Sequence, residues 1–357
     1  MASSSTDVQS TAFAAPARRR SRRFFAAPLA FALFITFDLI MFGAFVRVSD
    51  AGLGCPDWPG CYGKVTPFGA MHHIEAEALA RPHGPVTAFK AWIEMLHRYV
   101  ASALGLLIIW LAWLAWRHRG EPRTPSIPLA LFTLAWVILQ GMFGMWTVTL
   151  RLQPALVTAH LLGGMILFAL LLMQQTRIAR HPPVAPAAGR LRPYAIVALA
   201  LIFLQIALGG WVSSNYATLA CRDFPTCQDS WWPDMDIAAA FEIWRPLGMT
   251  ADGAGLPFPA LTAIHYAHRL MAYLVLLVVG LLAWRARRLA GLERIGWWLL
   301  LVLLAQVITG LTNIFLDWPM AAAVLHTGGA TALMGGLLML NFRVGAGRRL
   351  PLEPPGA

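Results

Sequence analysis

Residues 155–176 form the run ALVTAHLLGGMILFALLLMQQT, and a similar run returns at 321–342 as AAAVLHTGGATALMGGLLMLNF. Each run is long enough to cross a lipid bilayer as a helix, which takes about 20 apolar residues. Each also carries one histidine near its start, His160 and His326, and these two positions are 166 residues apart. The pair of runs therefore indicates both membrane-spanning helices and an internal repeat.

The composition supports a membrane protein. Hydrophobic residues make up 58% of the chain and charged residues only 13%, which is too apolar for a soluble globular domain. The predicted fold class is an all-α integral membrane protein embedded in the lipid bilayer. Its eight predicted transmembrane helices lie at 24–46, 93–116, 127–148, 155–176, 194–214, 260–284, 297–316 and 319–342.

The net charge of +11 is explained by the positions of the basic residues rather than by a nucleic-acid partner. Arginines cluster in alternate connecting segments, and this positive-inside pattern places both termini in the cytoplasm. We therefore predict no nucleic-acid binding. The clusters are Arg18, Arg19, Arg20, Arg22 and Arg23; Arg117, Arg119 and Arg123; Arg177, Arg180, Arg190 and Arg192; Arg285, Arg287, Arg288 and Arg294; and Arg343, Arg348 and Arg349.

The basic N-terminal segment has two interpretations. Residues 1–17 are rich in Ser and Ala, and an arginine-rich start poor in acidic residues also resembles an organelle transit peptide. We favour a disordered basic cytoplasmic tail over residues 1–23 and a location in a bacterial inner membrane. A mitochondrial inner membrane is the alternative.

The chain is predicted to be one four-helix unit written twice. A shift of 166 residues places Gly43 on Gly209 and Gly144 on Gly310, while His97 meets His268 after a shift of 171. Because each unit has an even number of helices, both units keep the same orientation, and a pseudo-two-fold axis along the membrane normal is expected. The predicted parts are an N-terminal bundle at 24–176, a cytoplasmic linker at 177–193, a C-terminal bundle at 194–342 and a cytoplasmic tail at 343–357.

All four cysteines fall in the two predicted outer loops, 47–92 and 215–259. They occur as CPDWPGC (55–61) and CRDFPTC (221–227). The outer side of a bacterial inner membrane is oxidising, so we predict the disulfides Cys55–Cys61 and Cys221–Cys227. A zinc site is the alternative, although C-x5-C is not its usual spacing. A structural brace is the favoured role for the disulfides, and a redox role is the rival.

Five of the ten histidines lie inside apolar runs, where an ionisable residue is costly and by default functional. His97, His160, His268 and His326 each lie one to two turns below the outer end of an even-numbered helix, so they share a similar depth. Each bundle therefore offers two imidazoles. Two facing imidazoles suit axial ligation of haem iron, although a single buried histidine is as often a packing residue.

The residues around these histidines differ between the halves. Glu94 stands three residues before His97, whereas His265 stands three residues before His268. Glu94 is a candidate acid/base or water-positioning group, with a carboxylate at a helix N-terminus as the plainer interpretation. Three further residues are notable. Arg98 and Arg269 are candidate partners for haem propionates or snorkelling side chains, and Asp38 is an intramembrane acid without a predicted role.

Together these motifs resemble the haem A synthase family. The resemblance rests on eight spans in two repeats, on EMLHR (94–98) and HYAHR (265–269), on TAHLLGG (158–164) and VLHTGGA (324–330), and on the paired loop cysteines. It covers about residues 24 to 342. It implies conversion of haem O to haem A, by successive hydroxylations of the C8 methyl group to a formyl group, for cytochrome oxidase.

The resemblance also implies roles for the single residues. His97 and His160 would be axial ligands of the substrate haem O, and His268 and His326 those of a cofactor haem b. Glu94 would be the catalytic residue that orients or deprotonates a water molecule, with water as the suspected oxygen source. Whether His265 ligates is left open. The implied partners are a haem O synthase as donor, cytochrome oxidase assembly factors, an unidentified electron acceptor and a second copy of the chain in a homo-oligomer.

Two other functions fit part of the pattern. A non-catalytic haem b subunit that transfers electrons would also need two histidines in each bundle, and only Glu94 and the family resemblance favour the enzyme over it. A transporter built from parallel repeats would explain the symmetry and Asp38. It would not explain four histidines at one depth.

Overall fold

The computed structural model describes residues 17–121 and 124–346. Within them, eight helices are long and apolar enough to cross a membrane, and no β-strand is formed. The predicted all-α fold class with eight transmembrane helices is therefore confirmed. The helices are α1 Ala17–Val48, α2 Ala88–Arg117, α3 Ile127–Thr149, α4 Pro154–Ile178, α5 Arg192–Ser214, α6 Phe258–Ala286, α7 Glu293–Phe315 and α8 Met320–Ala346.

Two helix starts differ most from the prediction. Helix α1 begins at Ala17 rather than at residue 24, so residues 17–23 of the predicted disordered tail are helical. Helix α2 begins at Ala88 because Thr87 caps it, with its side chain accepting the N–H of Lys90 at 3.2 Å. Hydropathy marks where apolar residues begin, whereas helical hydrogen bonds continue through polar residues. The rest of the predicted tails, 1–16 and 347–357, lies outside the described residues.

The spans pack as two closed rings of four. Each of α1 to α4 packs against the next and α4 returns to α1, and α5 to α8 repeat this order. In the part of the chain that the structure describes, the diagonal pairs α2–α4 and α6–α8 are not among the packed helix pairs. Side chains of diagonal helices therefore face each other across the centre of each bundle.

The two bundles meet through α1, α4, α5 and α8. Glycines allow this close approach, because a Cβ on Gly210 would lie 3.0 Å from the Leu161 side chain and one on Gly335 would lie 3.1 Å from Phe168. In lipid, where apolar surface gains little from burial, such small residues are the usual means of packing helices.

The repeat extends to unusual backbone conformations. Among the described non-glycine residues with positive φ, Asp50 and Tyr216 are 166 residues apart, as are Arg151 and Asp317. Repeat-equivalent residues also contact each other between the bundles. Arg47 donates to the Ser213 carbonyl at 2.7 Å, and the Tyr216 hydroxyl donates to Asp50 at 2.9 Å. Such contacts are expected where equivalent residues lie close to a symmetry axis, and the pseudo-two-fold axis itself stays a prediction.

Both predicted disulfides are present. Cys55 is bonded to Cys61 and Cys221 to Cys227, and the four cysteines are at most 1% exposed. The zinc alternative is therefore wrong, because the disulfides consume the sulfur ligands. The disulfides lie in the two segments that join α1 to α2 and α5 to α6, which we call the first and second outer loops.

Candidate functional site

The four histidines at matched depth lie on diagonal helices of the two rings. His97 is on α2 and His160 on α4, and the two imidazoles are near enough to interact electrostatically. His268 on α6 and His326 on α8 form the matching pair. All four side chains are half-buried. The structure thus brings together the residues that the sequence pairs within each bundle.

A glycine on the preceding odd-numbered helix lies against each imidazole. A Cβ built on Gly43 would lie 3.3 Å from Nε2 of His97, and one on Gly209 would lie 3.0 Å from Cε1 of His268. Gly144 and Gly310 stand in the same relation to His160 and His326, at 3.2 and 3.4 Å from Cε1. The absence of these four side chains creates the room in which each imidazole sits.

Glutamine amides contact three of the four histidines. Gln140 on α3 donates from Nε2 to the His160 carbonyl at 2.7 Å and lies 3.1 Å from Nδ1 of the same histidine. Gln205 on α5 makes the same two contacts with His268, both at 3.1 Å. The sequence analysis assigns no role to these amides.

The fourth histidine, His326, has a different set of neighbours. Gln306 donates to its carbonyl at 3.1 Å, and Thr309 Oγ1 lies 2.9 Å from its Nδ1. Because the Thr309 hydroxyl donates its own proton to the Ala305 carbonyl, its oxygen can accept Nδ1–H. The resulting tautomer leaves the Nε2 lone pair of His326 free for a metal.

The residues present fit haem as the bound group. Each bundle offers two imidazoles from diagonal helices, which is the donor set for bis-axial ligation of haem iron. Oε1 of Gln140 and Oε1 of Gln205 are buried without a hydrogen-bond partner.

A bare metal ion fits less well. The described residues contain no group of three or more His, Cys, Asp or Glu that could hold one.

Glu94 is buried at the outer end of the first bundle, with 4% of its surface exposed. The backbone N–H of Cys55 donates to its Oε2 at 3.0 Å, and Arg98 forms an ion pair with its Oε1. The carboxylate is therefore held between the first outer loop and the helix turn that carries His97. The sequence places Glu94 beside His97, but it gives no sign of the contact with Cys55.

Arg98 and Arg269 brace the outer loops. Arg98 Nη1 donates to the carbonyls of Asp57, Pro59 and Gly60 at 2.9, 3.2 and 2.7 Å. Arg269 donates to the carbonyls of Asp223, Thr226 and Cys221 at 2.9, 2.5 and 3.3 Å. The predicted contact of these two arginines with haem propionates stays a prediction. It would use a donor that the loop carbonyls leave free, such as Nε of Arg269, which is buried without a hydrogen-bond partner.

His265 occupies the place of Glu94 in the second bundle. It is buried, and its Nδ1 lies 3.0 Å from the Ala217 carbonyl of the second outer loop. Both halves thus tie this helix position to the loop above it, through a carboxylate in one half and an imidazole in the other. Asp38 lies on an exposed face of α1, outside the paired-histidine sites.

An aspartate organises each disulfide-bonded loop. Asp57 accepts the N–H groups of Tyr62 and Gly63 at 2.6 and 2.7 Å, and Asp223 does the same for Gln228 and Asp229 at 2.8 and 3.1 Å. These N–H groups follow the second cysteine of each pair. The aspartate of the shared D-aromatic-P sequence is therefore explained by a carboxylate that closes the turn after the disulfide.

Burial alone would raise the pKa of Asp223. The hydrogen bonds from the Thr226 hydroxyl and from the two backbone N–H groups outweigh it and hold this pKa below its ordinary value. The carboxylate is therefore ionised, and able to accept all three bonds, at neutral pH.

Comparison with known proteins agrees with this geometry. A family model described as "Cytochrome oxidase assembly protein" (COX15-CtaA) matches residues 27–338, from α1 to α8. A protein of Shewanella oneidensis named "Heme A synthase" is 39% identical over 316 residues, which cover 87% of this chain and 93% of that protein. This chain belongs to the haem A synthase family.

More distant members of the haem A synthase family also match along most of their length. A protein of the same name from Symbiobacterium thermophilum is 31% identical over 318 residues, covering 85% of this chain and 90% of its own. One from Halalkalibacterium halodurans is 26% identical over 298 residues, covering 81% and 86%. The resemblance inferred from the motifs is confirmed, and the match includes both bundles.

Proposed function

We propose that this chain is an oxidoreductase that converts haem O to haem A for cytochrome oxidase assembly, by oxidising the C8 methyl group to a formyl group. Membership of the haem A synthase family supports the activity. The observation that carries the assignment to a site is the buried carboxylate of Glu94, fixed by Cys55 and Arg98 one helix turn before His97. We place the reaction in the first bundle for this reason.

In the first bundle, His97 and His160 bind the iron of the substrate haem O from α2 and α4. The two helices are diagonal in the ring, so the substrate lies between them rather than on the outside of the bundle. The glycines that face these imidazoles leave the room that the rings need. Holding the substrate at two points fixes the edge of the macrocycle relative to Glu94, which is the main contribution of positioning to catalysis.

Glu94 accepts a proton from the water molecule that reacts with the substrate. An ionised carboxylate has about four lone-pair sites, and the contacts with Cys55 and Arg98 use one site on each oxygen. Replacing one C–H bond of the methyl group by C–OH from water releases two protons and two electrons. The sites that are left would accept a proton from that water molecule, and the two electrons would pass to the electron acceptor that the proposed reaction requires. Water as the oxygen source and the number of hydroxylation steps belong to this proposal.

In the second bundle, His268 and His326 would hold haem b, which would supply one-electron redox chemistry when bound. The residues of this half fit a resident cofactor. Gln205 and Gln306 each contact the backbone of one of the histidines, and His265 replaces the carboxylate at the outer end. The acceptor that finally takes the electrons is not identified.

The disulfide-bonded loops cover the outer ends of the haem sites. Cys55 contributes its backbone N–H to Glu94, and its sulfur is fully buried. Disulfides that exchange electrons are as a rule exposed or strained, so burial supports a structural role over a redox role. We propose a multi-pass protein of the bacterial inner membrane with both termini in the cytoplasm. A haem O synthase would be the donor of haem O, and homo-oligomerisation also belongs to this proposal.

The test is the substitution Glu94→Gln, which keeps the size of the side chain but replaces the basic carboxylate by an amide with one acceptor oxygen. Haem extracted from membranes of cells that supply haem O should contain haem A with the native chain and haem O or a partly oxidised haem with the variant. A matched control is Glu77→Gln, because Glu77 is on the short helix Met71–Ala80 of the first outer loop and pairs with Arg81. Wild-type haem A formation by the Glu94→Gln variant would overturn the assignment of Glu94.

The electron-transfer subunit is the second candidate, and the comparisons do not favour it. It would bind haem b in both bundles and form no haem A. Purified native chain that contains haem b alone, from cells that make haem O, would support it against the enzyme.

A further inference from the structure

Three odd-numbered helices carry a glutamine four residues before the glycine that faces a histidine. The pairs are Gln140 and Gly144 on α3, Gln205 and Gly209 on α5, and Gln306 and Gly310 on α7. On α1, Leu39 takes the equivalent place before Gly43. This one break in the pattern falls beside His97.

The glutamines make directed contacts with the histidines. Each donates from Nε2 to the carbonyl oxygen of its histidine, at 2.7 Å for Gln140 and 3.1 Å for Gln205 and Gln306. The packing around them is tight, because a Cβ on Gly163 would lie 2.1 Å from Oε1 of Gln140 and one on Gly329 would lie 2.1 Å from Nε2 of Gln306. The helices are therefore shaped around these amides.

The His97 position has the glycine and lacks the amide. Its neighbour on α1 is the ring of Phe42, at 5.6 Å between ring centres. The buried side chain of Leu39 has no hydrogen-bonding atom. His97 is thus the member of the four that has no side-chain amide on the preceding helix.

We propose that Gln140, Gln205 and Gln306 are positioning residues that hold three of the histidines as tight haem ligands, and that Leu39 leaves His97 as the exchangeable ligand. Haem would then enter and leave the first bundle by formation and dissociation of the bond between its iron and His97. This inference rests on the proposed function only for the presence of haem in both bundles.

The asymmetry matches the two kinds of haem. A resident cofactor needs both of its ligands held, and in the second bundle His268 and His326 each have an amide. A substrate must leave after every turnover, and in the first bundle one ligand is held and the other is not. A hydrogen-bonding partner on the ring of a metal ligand typically contributes 10–100-fold to metal affinity. A comparable contribution from one amide would separate the two sites.

The experiment measures haem loss without any turnover. Full-length protein in detergent is loaded with haem b alone, and transfer of haem to an excess of a haem-scavenging globin is followed by absorbance. The native chain should lose haem in two phases, one from each bundle. Gln205→Leu should speed the slow phase, and Leu39→Gln should slow the fast phase, each by at least about 10-fold. After reduction of the haem iron, CO should bind faster to the sites and variants that lose haem faster, because CO needs an open axial position.

Two controls separate positioning from general damage. Leu204→Gln adds an amide next to Gln205 on the exposed face of α5 and should leave both phases unchanged. Gln205→Met keeps the side-chain volume without the amide and should act like Gln205→Leu, so it replaces that variant if the leucine fails to fold.

Unchanged phases in both Leu39→Gln and Gln205→Met would overturn the proposal, as would a native chain that loses both haems in one phase. Since these rates involve no haem O, failure to form haem A would count against the proposed function and not against the role of the amides.

Discussion

Replacing Arg98 by glutamine should loosen the first outer loop and expose its buried disulfide. Arg98 donates to three loop carbonyls and to the Glu94 carboxylate, and the shorter glutamine cannot reach them together. Leaving one buried polar group without its partner costs about 1–3 kcal/mol. The side chains of Arg98 and Glu94 are 12% and 6% exposed, so water can replace little of the lost hydrogen bonding and most of this free-energy cost applies.

We therefore expect the loop to open more easily by about 3 kcal/mol, which corresponds to roughly a 10²-fold larger open population. Because Cys55 and Cys61 are 0% exposed, a reductant reaches their disulfide only when the loop opens. The rate of reduction by a water-soluble phosphine, followed by alkylation and mass spectrometry, should rise about 10²-fold, the same factor as the open population.

The second loop provides an internal control in the same molecule. Cys221 and Cys227 are equally buried and are braced by Arg269, so their reduction should not change in Arg98→Gln. Glu94→Gln should speed reduction of the first disulfide less than Arg98→Gln does, because the loop carbonyls keep their donors. Equal reduction of both disulfides in the Arg98→Gln protein would refute the bracing role.

Two further predictions concern the second bundle. Gly209→Ala places a Cβ 3.0 Å from Cε1 of His268, so the ring must move and the haem b content of the purified protein should fall, whereas Gly105→Ala, with open space around it, should keep full haem content. The lowered pKa of Asp223 means that its ionised form stabilises the folded loop above the unfolded pKa of about 3.9, and that this contribution is lost as the pH falls through the folded pKa. Phosphine reduction of Cys221–Cys227 should therefore accelerate at acid pH, and Asp223→Asn should remove this pH dependence and reduce fast throughout.

The fold could be predicted in large part because membrane insertion constrains the sequence strongly. Each span needs an unbroken apolar run, and most predicted helix ends lie close to the observed ones. The start of α1 at Ala17 could not be found in this way, because hydropathy reports contact with lipid and not helical hydrogen bonding. The pairing of histidines within bundles followed from the repeat, which assigns His97 and His160 to one unit.

The immediate surroundings of the site were predicted less well. Gln140, Gln205 and Gln306 were visible as a repeated Q-x3-G pattern, but an isolated glutamine in an apolar run gives no sign of its partner. Arg98 and Arg269 were predicted as propionate partners, and the structure shows that each already binds three loop carbonyls.

The sequence by itself determined the eight spans, the repeat, the two disulfides and the set of four histidines, because each depends on local composition, spacing or redox environment. Only the tertiary structure decided which polar groups meet, such as Glu94 with the Cys55 N–H group and Gln205 with His268. Those contacts join residues 39 and 63 positions apart in the chain, through helices whose rotation is set by packing. Hydropathy does not encode that rotation, so the difference between the two haem sites appears only once the helices are packed.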